Sequence, residues 1–163
     1  MFSLLLTFSL LSFAGPHQHK AHEHGSGKLS IAFDQLKGKL IFESPSESIY
    51  GFEYVAKSKA DINRQTKALD TIKESIAEMV TFENKLHCQF QNQKTEIHQE
   101  KNHSSVEVNF DIQCALDPVG SKIVFNIQKF FPNLKDVDVQ LLVGDVQKSI
   151  EAKKTGTTIE IVK

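Results

Sequence analysis

The 163-residue sequence lacks the short motifs that mark the commonest catalytic sites. It contains no G-x-S-x-G nucleophile elbow, no P-loop, no Rossmann glycine fingerprint and no H-E-x-x-H zinc-protease motif. It has only two cysteines, Cys88 and Cys114, and they are too far apart to form the C-x-x-C motif of a redox enzyme. We therefore expect a protein that is not an enzyme.

An excess of one charge sign is also absent. The 19 Lys and Arg residues nearly balance the 20 Asp and Glu residues, and both signs are interspersed along the chain. Such a chain has no basic field strong enough to attract nucleic acid or an anionic membrane. We expect no nucleic-acid partner.

The N-terminal apolar run, residues 2–13, is too short to span a bilayer as a helix, which needs about 20 residues. Residues 12–14, Ser-Phe-Ala, offer small side chains at the two positions that a signal peptidase reads. The run is typical of a secretory signal peptide over residues 1–14, although it has no Lys or Arg before it. After its cleavage we expect no stable membrane insertion. The alternative is a buried N-terminal helix.

Histidine is concentrated directly behind this leader. Four of the seven histidines lie within eight residues: His17, His19, His22 and His24. Neutral imidazole is the commonest side-chain ligand for late first-row divalent metals, so the run predicts a metal site. A solvated tail whose histidines bind nothing is the alternative reading. We predict a flexible histidine-rich tail over residues 15–27 and a single domain over residues 28–163.

The domain reads as α+β. Alternating apolar residues predict a hairpin of two strands over residues 28–33 and 39–43. Apolar spacings of three and four predict one main helix, with Asp61 as its N-cap and its end near residues 82–84. Further strands are predicted over residues 86–97, 105–115, 122–127, 136–143, 146–151 and 157–162, with a helical turn over 128–131. The expected fold is a mostly antiparallel sheet of hairpins packed with the main helix.

The two cysteines lie in the two strands of one predicted hairpin. An even cysteine count behind a signal peptide indicates one disulfide formed in an oxidising compartment, and two free buried thiols are the alternative. If Cys88 lies opposite Cys114, the tip of the hairpin falls at Lys101, within a polar stretch suited to a turn. His98 and His103 would then lie close together at the tip and form a second histidine cluster.

Several short segments, in this order and spacing, resemble the ZrgA-type periplasmic zinc-uptake family. They are His22-x-His24-Gly25-x-x-x-Leu29-x-Ile31, Ser44-Pro45, Gly51-Phe52-Glu53, His103-Ser104-x-Val106-Glu107 leading to Cys114, Phe130-Phe131-Pro132, and Val137-x-Val139-Gln140-Leu141.

The resemblance implies a secreted zinc-binding protein of a Gram-negative bacterium that assists an inner-membrane ABC zinc importer. His22, His24 and His103 match the family's histidine positions, and the two cysteines match its cysteine pair. The chain departs from the family at Tyr54, where a histidine is common, and in a hairpin insertion reduced to His98 and His103.

We therefore expect a periplasmic protein that captures Zn²⁺ through clustered histidines and passes it to an ABC importer or its binding protein. The predicted ligands are His17, His19, His22, His24, His98 and His103. Residue chemistry alone leaves nickel and copper open as cargo, because both also favour imidazole. A protein-interaction module of the cell envelope is the alternative from a different functional class.

Overall fold

The structure is a computed structural model and describes residues 25–162. The predicted signal peptide and the four tail histidines, His17, His19, His22 and His24, lie outside the described residues. The first described strand starts at Ser26.

The described part of the chain contains nine strands and three α-helices. The strands are β1 (Ser26–Asp34), β2 (Lys37–Pro45), β3 (Val80–Phe82), β4 (Gln89–Glu100), β5 (His103–Gln113), β6 (Lys122–Phe125), β7 (Asp136–Val143), β8 (Val146–Ala152) and β9 (Thr157–Glu160). The helices are α1 (Ser46–Tyr50), α2 (Lys59–Met79) and α3 (Ile127–Phe130), and a 3-10 turn spans Asn84–Leu86.

The main sheet has six strands in the order β4-β5-β2-β1-β7-β8. Adjacent strands in this sheet are antiparallel, except that β1 and β7 run parallel to each other. Strands β3, β6 and β9 form a second, smaller antiparallel sheet. The α+β class, the large mainly antiparallel sheet and the single main helix are confirmed.

One face of the main sheet is buried and the other is open to solvent. Residues alternate between the two faces in β1, β2, β5 and β7, as their hydrophobic alternation predicted. On the buried side, Ile76 and Met79 of α2 lie beside Leu29 and Phe42 of the sheet. The small sheet covers the same side, where the Phe82 ring of β3 packs edge to face against the Phe33 ring of β1. The buried polar side chains of this sheet are serines, Ser44 and Ser104, whereas its charged side chains are not buried.

The N-cap of helix α2 lies three residues before the predicted one. Ser58 is the cap: its side chain accepts a hydrogen bond from the Asp61 backbone N–H at 3.0 Å, and its hydroxyl donates to the Asp61 carboxylate at 2.6 Å. Asp61 therefore acts from the third helical position, as the acidic partner of the cap. The helix ends at Met79, earlier than predicted, because residues 80–82 pair with β6 instead.

Helix α1 was not predicted, because Ser44-Pro45 reads only as the end of a strand. Pro45 is both the last residue of β2 and the N-cap of α1. Gly51 ends the helix at φ 90°, and its N–H donates to the Glu47 carbonyl at 2.9 Å. This left-handed conformation suits glycine and turns the chain towards Phe52.

The β4–β5 hairpin follows the predicted register only from Gln89 to Asn92. Gln89 pairs with Gln113, as the cysteine positions predicted. A β-bulge between Asn92 and Lys94 then shifts the pairing by one residue, so that Glu100 pairs with His103. The turn consists of residues 101–102, so the predicted tip at Lys101 is wrong by half a residue.

A disulfide joins Cys88 to Cys114, and the predicted bridge is confirmed. Cys114 is buried, and Cys88 packs against the hydrophobic core from a half-buried position. The bond ties the chain just before β4 to the chain just after β5, so it closes the open end of the hairpin. Next to it, the Ala115 N–H donates to the Leu86 carbonyl at 2.7 Å.

Among the helices of residues 25–162, none is both long enough and apolar enough to cross a membrane.

Replacing both cysteines with alanine should lower the free energy of unfolding by about 3–4 kcal/mol, because the bond closes a loop in the unfolded chain. The sequence separation of the cysteines is 26. Urea unfolding of the oxidised protein and of the double variant measures the difference. An unchanged urea midpoint would contradict this prediction.

Candidate metal centre

The outer face of the main sheet carries a row of carboxylates at its β4 side. Glu96 of β4 pairs with Glu107 of β5, and Glu107 pairs in turn with Glu43 of β2. Cross-strand partners share a face, and their Cβ atoms lie about 4.5–5.5 Å apart. Like charges at this spacing repel one another, so the row favours any cation that can lie between its members.

His98 adds an imidazole to this row. It is two residues along β4 from Glu96, which places it on the same face. Its Nε2 lies 3.6 Å from Oε2 of Glu107 and 3.8 Å from Oε2 of Glu96. One ligand atom from each of the three residues lies within 4.8 Å of the other two. These three side chains form the Glu96–His98–Glu107 cluster.

The spacing of this cluster is close to that of a zinc site. Zinc binds imidazole nitrogen and carboxylate oxygen at about 2.0–2.2 Å, so two ligands of one tetrahedral ion lie about 3.3 Å apart. The two distances from the His98 nitrogen exceed this by only a few tenths of an ångström. The two carboxylate oxygens lie within 4.8 Å of each other, so side-chain rotations would have to bring the three atoms onto one ion. The cluster is partly exposed to solvent, since the His98 side chain is 51% accessible and the two glutamates are half-buried.

Polar neighbours hold the two carboxylates in place. The Asn109 side chain donates to Oε1 of Glu107 at 2.8 Å, which leaves Oε2 facing His98. The Lys94 ammonium lies 2.7 Å from Oε2 of Glu96. This hydrogen bond, together with the charges of Glu96 and Glu107, raises the pKa of Lys94. Lys94 therefore occupies the Glu96 oxygen that also faces His98, and a metal ion would have to displace it.

His103 has a different carboxylate partner. Its Nδ1 lies 2.9 Å from Oε2 of Glu53, in the segment that follows α1. The Gln99 side chain donates to the Glu53 carbonyl at 2.9 Å and to the His103 carbonyl at 3.1 Å. Two of these polar contacts, one from the His103 ring and one from the Gln99 amide, attach the hairpin tip to the segment around Glu53.

The two hairpin histidines, predicted to form one cluster, therefore contact different carboxylates. His98 lies with Glu96 and Glu107, whereas His103 lies with Glu53.

The glutamates of the cluster were missed because of the bulge. In the register predicted from the cysteines, Glu96 would oppose Val106, which faces the core. The bulge moves Glu96 opposite Glu107 instead. A shift of one residue exchanges the two faces of a strand, so only the true register reveals the cluster. The alternation of polar and apolar residues in β5 was visible in the sequence, but the residues of β4 that pair with them were not.

A search among curated proteins finds no match to this chain. A family model described as "ZrgA family zinc uptake protein" matches residues 21–161. The match covers nearly all of the chain and includes the whole β4–β5 hairpin with both of its histidines. It also includes the predicted ligands His22 and His24. The resemblance drawn from the short segments is confirmed, and the chain belongs to the ZrgA family of zinc uptake proteins.

Proposed function

We propose that this protein is a periplasmic zinc-binding protein that captures Zn²⁺ on its β4–β5 hairpin and delivers it for import. The observation that carries the proposal is the Glu96–His98–Glu107 cluster in a chain of a zinc uptake family. A disulfide-bonded domain supports a location outside the cytoplasm, because disulfides persist in oxidising compartments such as the periplasm.

The cluster suits exchangeable cargo better than a permanent structural ion. Structural zinc sites supply four protein ligands in a closed tetrahedron, whereas this cluster offers three. Its side chains are partly exposed, and an ammonium group already contacts one of them. Zinc therefore competes with water and with Lys94, which lowers affinity and speeds release. Capture followed by transfer needs such reversible binding.

The tail histidines are separated from β1 by few enough residues to reach the cluster. The tail precedes Ser26 at the start of β1, and β1 is three strands from β4 in the main sheet. Three strand spacings amount to about 14 Å, a distance that about five extended residues can cross. His17, His19, His22 and His24 lie two to nine residues before Ser26. We propose that one or more of these imidazoles complete the coordination of zinc on the cluster.

The receiving partner we propose is an inner-membrane ABC zinc importer or its binding protein. Transfer by ligand exchange needs a donor site whose ligands can leave one at a time. The exposed His98 imidazole and its partly exposed carboxylate neighbours meet that need, and neither requires the domain to unfold. Zinc, rather than nickel or copper, is proposed as the cargo because of the family to which the chain belongs.

His98→Asn should weaken zinc binding to the hairpin by about tenfold or more, because it removes the only nitrogen ligand of the cluster. Calorimetric zinc titration measures the change. The matched control is His87→Asn, which alters another exposed histidine, located in the loop before β4 at φ 46°. Asparagine tolerates that left-handed conformation.

A second variant, with all four tail histidines changed to alanine, measures how much of the zinc affinity comes from the tail and how much from the hairpin. We expect the tail variant to lose affinity, and its combination with His98→Asn to lose most binding. Full zinc affinity in the combined variant would contradict the proposed ligands. An absence of zinc binding in the unaltered chain would overturn the function itself and favour a protein-interaction module.

Lys94→Gln should strengthen zinc binding by about two- to fivefold, because it removes a positive charge close to the bound ion and frees an oxygen of Glu96. Lys39→Gln is the control, since Lys39 pairs with Asp111 elsewhere on the same face at 3.2 Å. The gain should shrink at high salt. Weaker binding in the Lys94 variant would show that the ammonium organises the site instead of competing for it.

Zinc binding should weaken as pH falls. Imidazoles ordinarily have a pKa of about 6.5, and below it protons occupy the nitrogens that zinc needs. The apparent affinity should drop by about tenfold per pH unit for each imidazole bound, once the pH is below that value. Titrations between about pH 7.5 and 5.5 measure the slope, and an affinity independent of pH would exclude imidazole ligands.

A further inference from the structure

A pocket of about 310 Å³ lies where the three α-helices of the described chain approach one another. The end of α1 contributes Tyr50, the first half of α2 contributes Arg64 and Lys67, and the end of α3 contributes Phe130 and Phe131. None of the described residues that line it is an aspartate or a glutamate. This space, the helix pocket, therefore has positive charge in its wall and no carboxylate to neutralise it.

The Arg64 guanidinium is held at this pocket by contacts that leave its hydrogen-bond donors free. It lies 5.9 Å from the Phe52 ring centroid, and its Nη1 atom is 3.8 Å from the position that a Cβ atom would take at Gly51. Within residues 25–162, neither the Arg64 nor the Lys67 side chain forms an ion pair or a hydrogen bond. The planar guanidinium presents paired N–H donors that match the two oxygens of a carboxylate. These donors are therefore open to an anionic ligand.

A buried tyrosine independently indicates the same kind of ligand. Only 4% of Tyr50 is exposed, and its ring packs on Phe52 with 4.7 Å between centroids. The Tyr50 hydroxyl forms no hydrogen bond in the described part of the chain. It is also not among the fully buried polar atoms that lack a partner there, which belong to Ser46, Ser104 and Gln128. The small accessible part of Tyr50 therefore includes its hydroxyl, which is available in the helix pocket as a donor to an anionic oxygen.

The wall beside these donors is apolar, since it includes the buried Phe131 ring and the partly buried Phe130 ring. Inorganic phosphate would leave that surface unfilled, whereas an organic acid covers it with its apolar part. We propose that the helix pocket binds a carboxylate attached to an apolar group, with Arg64 and Lys67 as its charge partners and Tyr50 as a hydrogen-bond donor. Such a carboxylate belongs to a free organic acid or to the C-terminal residue of a peptide.

This site goes beyond the proposed function. Helix α2 covers the buried side of the main sheet, whereas the candidate metal cluster lies on the outer face. The helix pocket therefore binds its ligand without zinc, and the two sites are tested separately.

Titration of the zinc-free full chain with phenylacetate, followed by nitrogen-15 backbone NMR, tests the site. We expect shifts at Gly51 and Ala68, which line the pocket, and much weaker binding of phenylacetamide, which has the same shape without the charge. Arg64→Gln should weaken phenylacetate binding by about tenfold or more, because it removes a charge-assisted contact. Tyr50→Phe keeps the ring and should weaken binding by about three- to tenfold. The control is Lys59→Gln, which removes a positive charge of α2 outside the pocket and should change affinity by less than about twofold.

A parallel titration with N-acetylphenylalanine separates the two sources of the carboxylate. Tighter binding than that of phenylacetate supports the C-terminal residue of a peptide, and weaker binding supports a free organic acid.

Several results would overturn the inference. No shift at the pocket residues at about 10 mM phenylacetate would overturn the site. Phenylacetamide that binds as tightly as phenylacetate would overturn the recognition of charge, and inorganic phosphate that binds as tightly would overturn the organic ligand. Arg64 is exposed, so its variant is expected to fold, and full phenylacetate affinity in that variant would overturn the assigned charge partner. Each of these failures would leave the proposed zinc function standing, because zinc binding is measured in separate titrations.

Discussion

The pairing of β4 with β5 is the constraint on which the candidate site depends. The Cys88–Cys114 bond fixes the register where the hairpin joins the domain, and the bulge between Asn92 and Lys94 changes it by one residue before the tip. Beyond the bulge, the outer face gains Glu96 and His98. Without the bulge, Glu96 would oppose a core-facing residue, and the three ligand atoms of the cluster would not meet. One inserted residue therefore converts an ordinary hairpin into a surface that can bind a cation.

The negative charges of the cluster are partly balanced by neighbouring polar and positively charged groups. The carboxylates of Glu96 and Glu107 lie opposite each other, and their repulsion is offset by Lys94 and by the dipole of the Asn109 amide. A bound zinc ion would offset it more strongly. The charges of this surface are thus partly balanced without a metal, which fits the reversible binding that we propose. A buried cluster of the same charges would be costly whenever it was empty.

The two hairpin histidines differ in what holds them. His98 lies between carboxylates that could themselves bind the ion, so its environment supplies ligands. His103 lies against Glu53, a mostly buried carboxylate anchored beside Phe52, so its environment supplies orientation. Both histidines lie near the tip of the β4–β5 hairpin, at the β4 edge of the main sheet.

Local sequence patterns determined the class of this fold and most of its elements. The strand over residues 136–143 was predicted with its observed bounds, because alternation of apolar residues reports a half-buried strand directly. The helix that buries Ile72, Ile76 and Met79 was predicted from its spacing, and the disulfide from the cysteine count. The family was evident from several short segments and from their order and spacing along the chain.

Long-range pairing decided the features that form the candidate site. Neither the bulge nor the contact of Glu53 with His103, 50 residues apart, leaves a local signal. Each depends on how distant strands and loops pack, and a period of two or 3.6 residues carries no information about that packing.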